Sequence, residues 1–107
     1  MNFQVSFSGS PTTIKIINAP SWSSCLAYCE GTGLVVNSIS LMSTQIIVND
    51  ESTTNCYSVS LISNTTNLPS TYCVFDTDYN SLQNWINSQT EKSVKAIILN
   101  QQSYVVV

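Results

Sequence analysis

Two short amphipathic stripes, each set between pairs of strand-like segments, leave this chain few ways to fold. Trp22, Cys25, Leu26 and Cys29 fall at i, i+3, i+4 and i+7, which places them on one face of a helix. Tyr79, Leu82 and Ile86 repeat the stripe, with Trp85 beside it. Ahead of the first helix, Phe3, Val5 and Phe7 alternate with Gln4, Ser6 and Ser8, the pattern of a half-buried strand. Ahead of the second, Tyr57, Val59 and Leu61 alternate with Ser58 and Ser60 in the same way.

The rest of each half follows suit. Residues 9–13 hold Gly9 and Pro11, turn chemistry, and residues 14–17 read as a returning strand. Ser21 can cap the first helix by accepting from an unpaired backbone N–H. Gly31 and Gly33 end it, since glycine takes the left-handed terminal conformation without steric cost. A strand over residues 34–41 is then expected to pair with 45–48. In the second half, residues 71–75 return, Asp76 to Asp78 start the helix, and residues 94–99 and 104–107 form a closing hairpin.

The reading is an α+β fold made of a duplicated ββαββ unit. It predicts one domain over residues 1–107, built of pseudo-repeats 1–50 and 51–107, with two helices on one face of an antiparallel sheet or sheets. At 107 residues there is room for one ordinary domain, and 43% hydrophobic residues can fill a core.

Charge is scarce. Only 8% of residues are charged, against roughly 25% in ordinary soluble domains. Ser, Thr and Asn, together roughly two-fifths of the chain, supply the polar surface instead. Such a surface repels copies of itself weakly. Lys15, Lys92 and Lys95 are the only basic side chains, too few and too scattered for the basic stripe of a nucleic-acid binder, so no nucleic-acid partner is expected. The first eight residues have neither a basic nor an apolar signal region, and no apolar run approaches a membrane span. The chain is therefore expected in a virion or a host cytoplasm, without a membrane partner.

With no His and no Arg, the usual general base and the bidentate phosphate clamp are missing. Cys25 and Cys29 could form half of a metal site with Cys56 and Cys73, but the paired short spacings of structural zinc sites are lacking. They align with Leu82 and Ile86, which makes them small core residues. Strand alternation points Cys56 outward and Cys73 inward, so all four thiols are expected to stay reduced. Asp76 and Asp78 read as helix-start carboxylates in preference to a metal pair. Trp22, Tyr28, Tyr79 and Trp85 read as packing surface in preference to a sugar-stacking platform. No cofactor and no catalytic residue is expected.

These observations favour a non-enzymatic structural or assembly protein, most concretely a small component of a bacteriophage or virus particle. The alternatives are a small inhibitor or adaptor that binds one host protein and, last, a Cys-dependent metal protein or enzyme. Residues 104–107 lack polar alternation, and a strand apolar on both faces needs cover on both. Ile17, Val35, Ile47, Val74, Val105 and Val107 are the expected second apolar face, a candidate surface for self-association or a protein partner.

Overall fold

The computed structural model describes residues 1–107. In chain order the elements are β1 (Asn2–Phe7), β2 (Thr13–Asn18), α1 (Trp22–Gly31), β3 (Val36–Leu41) and β4 (Gln45–Val48). The second half supplies β5 (Asn55–Ser63), β6 (Pro69–Phe75), α2 (Tyr79–Asn87), β7 (Lys92–Gln101) and β8 (Ser103–Val106). The α+β class and the twofold ββαββ succession are both present.

The strands form two four-stranded sheets, ordered β3-β1-β2-β8 and β4-β6-β5-β7. Read from the opposite edge, the second sheet is β7-β5-β6-β4, the same order as the first. Each sheet is mixed, because its fourth strand runs parallel to its neighbour: β8 beside β2 and β4 beside β6. The expected hairpins β3/β4 and β7/β8 therefore do not form. Three residues separate β3 from β4 and one separates β7 from β8, yet each pair is divided between the two sheets. The chain consequently has two units, Met1–Ser43 with Gln102–Val107, and Thr44–Gln101. Each takes three strands and a helix from one half of the sequence and its fourth strand from the other.

The correspondence between the units extends to single bonds. In unit 1, β1 carries a bulge between Ser6 and Phe7 where it meets β3. In unit 2, β5 carries one between Ser60 and Leu61 where it meets β7. The Ala19 N–H donates to the Met1 carbonyl as the Asp76 N–H donates to that of Asn55. The Val107 N–H donates to the Asn18 carbonyl as the Asn49 N–H donates to that of Phe75.

Both helices start as the sequence requires. The Ser21 hydroxyl accepts from the Ser24 N–H at 3.1 Å, and the Asp78 carboxylate from the Ser81 N–H at 2.8 Å. Each cap satisfies one of the orphan donors of a first turn. After α1, Gly33 sits at φ +71°, a conformation that side chains with a Cβ rarely adopt.

Each helix covers one face of its own sheet. In unit 1, Phe3, Val5, Phe7 and Ile17 pack with Cys25 and Cys29. In unit 2, Tyr57, Val59, Leu61 and Val74 pack with Leu82 and Ile86. Trp22 and Tyr79, at the first position of each expected stripe, are exposed, and Leu26 is a further exception. It is 36% exposed, because the buried line of α1 runs through Cys25 and Cys29 alone. No buried side-chain nitrogen or oxygen lacks a hydrogen-bond partner.

Candidate functional site

The four cysteines form two thiol pairs, and none is in a disulfide. Cys25 and Cys29 lie one turn apart on α1, under the helix. Burial pushes the Cys25 thiol up to about 11, and the charge and hydrogen bond of Cys29 add to that. The second pair is in unit 2. Cys56 lies opposite Phe75 on β6, so Cys73 is one pleat away diagonally. A hydrogen bond with Cys56 holds the Cys73 thiol down to about 7, against the opposing effect of burial. Cys56 does lie on the sheet face away from Tyr57, Val59 and Leu61, as alternation requires. It does not reach solvent, however: it is fully buried beside Phe75. Cys73, expected on the inward face, stands opposite Ser58 and so shares the face of Cys56, because Tyr72 and Val74 are the residues of β6 that turn under α2.

Around the start of α2 the carboxylates are occupied by local bonds. Asp76 is buried and accepts from Asn49 Nδ2 and from the Thr77 N–H, both at 2.9 Å. Asp78 caps the helix. Asp50 accepts from the Ser52 hydroxyl and N–H and from the Thr77 hydroxyl. Those bonds, led by Ser52, hold its carboxyl below the usual carboxylate value. No three His, Cys, Asp or Glu side chains gather in a way that could hold a metal ion.

The aromatic residues mostly pack within their own units. Trp22 meets the Phe3 ring edge-on at 5.6 Å, and Trp85 meets Tyr72 edge-on at 5.4 Å. Lys15 lies over the rings of Phe7 and Tyr28, and Lys92 over Tyr72. Two of the three cations are thus engaged by aromatic faces. Tyr79 and one side of Trp22 remain exposed.

The six residues expected to share an apolar face do not. Ile17 and Val105 lie side by side in the parallel pair β2/β8 and pack into the core under α1. Val74 and Ile47 occupy the equivalent places in β6/β4, in the core under α2. Val35, 69% exposed, precedes β3, and Val107 is exposed after β8. For Ile17 and Val74 the assignment fails because they are register partners of Phe3 and Tyr57 and share their face, and for Ile47 and Val105 because it gave β4 and β8 antiparallel hairpin partners. Parallel pairing with β6 and β2 turns their apolar residues under the helices.

The open apolar surface lies elsewhere, on β7. This strand is ten residues long and stands at the edge of its sheet, bonded to β5 alone. Val94, Ile98 and Leu99 are exposed on it, Ile98 by 59%. Because side chains alternate along a strand, Ile98 and Leu99 belong to opposite faces. The signal in the sequence was the unbroken apolar run from Ala96 to Leu99, which fits a strand buried on both faces. The structure packs Ile97 of that run against the core and leaves Ala96, Ile98 and Leu99 exposed. Its counterpart in unit 1, β3, is six residues long and exposes Asn37, Ser38 and Ser40 with one large apolar residue, Leu41.

Comparison with family models, with curated proteins and with solved structures gives no match. No helix is long and apolar enough to cross a membrane.

Proposed function

We propose that this chain is a non-enzymatic structural protein that works by binding protein, most concretely a small component of a bacteriophage or virus particle, and that β7 is its contact strand. One observation carries the reading: a ten-residue edge strand exposing Val94, Ile98 and Leu99. Such an edge presents a row of backbone donors and acceptors to an incoming strand, and natural proteins ordinarily blunt it with charge, proline or cover. Here Lys92 and Lys95 are the only charges on the strand, both near its beginning. The weakly charged Ser/Thr/Asn surface suits close packing among copies in a shell.

Sedimentation at micromolar concentration tests the reading, with the wild type compared with Ile98→Lys. An assembly that Ile98→Lys disperses into folded monomers supports it. A wild-type protein that stays monomeric and is absent from purified particles of its host's virus sinks it.

A further inference from the structure

The geometry points to strand exchange between copies: the place beside β2 in unit 1 can be filled by Gln102–Val107 of a second copy of this chain. The inference stands on topology and is independent of β7. The contiguous body of unit 1, Met1–Ser43, contains β1, β2, α1 and β3 but no strand for the outer edge of β2. That edge is filled by a segment delivered from the far end of the described chain. Unit 2 has the same arrangement, with β4 delivered to β6 from the other half of the sequence. Both units therefore hold a parallel strand at this place, and in unit 1 alone it comes from outside the contiguous body, as Ser103–Val106.

The contacts that hold the segment can be made by any copy of it. Lys15 to Asn18 pair in register with Ser103 to Val106. Val105 packs against the core, the Val107 N–H reaches the Asn18 carbonyl at 2.8 Å, and Gln4 Nε2 donates to Gln102 Oε1 at 3.2 Å. Val106 and Val107 keep much of their surface in solvent. A four-residue strand held at one edge opens locally, without global unfolding. A second copy offers an identical strand and restores every one of these contacts, which is the low-cost route to a swapped dimer. A single residue, Gln102, connects β7 to β8, so the direction of the chain at that point decides which body the strand enters.

Cross-linking between singly substituted copies tests the exchange. Asn18 and Val106 are register partners on β2 and β8. Protein carrying only Asn18→Cys and isotope-labelled protein carrying only Val106→Cys are unfolded together, refolded near millimolar concentration, and treated with a short bis-maleimide. Exchange gives a mixed covalent dimer that neither variant forms alone, because no single chain holds both new thiols. The doubly substituted chain, refolded dilute, cross-links internally and confirms the reach of the reagent. A mixture with no covalent dimer beside a cross-linked double variant overturns the proposal. So does concentrated refolding of the wild type that gives only monomers by sedimentation, whatever the cross-linking shows. A dimer built through β7 is told apart because Ile98→Lys disperses it, whereas the exchanged dimer withstands that substitution.

Discussion

Unit 1 builds the floor of its helix from Cys25 and Cys29, and unit 2 builds the same floor from Leu82 and Ile86. The strands compensate in part, with Phe3 and Phe7 in unit 1 where Tyr57 and Leu61 stand in unit 2. Strand order, bulge position and capping bonds are nonetheless shared. Backbone geometry is thus set by the positions of apolar residues and breakers, and the identity of the filling residues is free to vary with total volume. The units also differ in polarity. Ala19 is buried in unit 1 where unit 2 buries Asp76, and Asp76 bonds Asn49 while the equivalent of Asn49 in unit 1 is Val107. Unit 2 thus carries a hydrogen-bonded polar pair where unit 1 has the buried Ala19 and the exposed Val107, and the strand order is the same.

The steepest test of this comparison is Leu82→Ala, which should lower stability by about 2–5 kcal/mol in urea unfolding. Leu26→Ala and Cys25→Ala should each cost less, the first because Leu26 is partly solvated, the second because only one sulfur is removed. A greater loss at Leu26 than at Leu82 would mean that the two helices do not present equivalent faces. Next in size is Asp76→Ala. It leaves Asn49 Nδ2 and the Thr77 N–H without their acceptor, a loss of about 1–3 kcal/mol. If Asp76→Ala is neutral, the buried polar pair of unit 2 contributes nothing that Ala19 lacks. Removing a cap should matter about equally in both units: Ser21→Ala and Asp78→Ala each cost about 1 kcal/mol.

The smallest effect is one of pH, and it separates the two thiol pairs. The Cys73 thiol is depressed from 9.0 to about 7, so its contribution to stability is complete above pH 9 and declines as pH falls toward 7. The Cys25 thiol is raised from 9.0 to about 11, so its contribution is complete below pH 9 and is lost as pH rises toward 11. Thiolate absorbance should show one ionisation near 7, and Cys56→Ala should move it back toward 9. An ionisation unmoved by Cys56→Ala would show that the Cys56–Cys73 hydrogen bond does not set it.

The duplication was legible because it rests on local pattern. Alternation gave β1 and β5, and the stripes with Ser21 and Asp78 gave the helices and their starts. What escaped the sequence was non-local. Nothing in residues 45–48 or 103–106 distinguishes a hairpin partner from a strand that continues into another sheet, since both require only a short apolar run. That ambiguity misplaced Ile47 and Val105 on an open face and left β7 assigned to a hairpin, while Ile17 and Val74 were assigned to the wrong face of correctly placed strands. Leu26 was lost for a narrower reason. On a ten-residue helix the buried line can pass through two positions, and small thiols at both allow the neighbouring leucine to turn toward water.

The late position of β8 also sets an order of events during synthesis. Unit 2 is continuous in the sequence, so all of its strands have left the ribosome once Gln101 has emerged. Unit 1 is begun first and finished last, because the partner of Lys15 to Asn18 is translated after everything in unit 2. Until then the outer edge of β2 has no strand of its own chain to pair with. The backbone amides of Tyr57 and Val59 should accordingly be protected in a released chain truncated after Gln101, whereas protection of unit 1 as a whole requires Gln102–Val107.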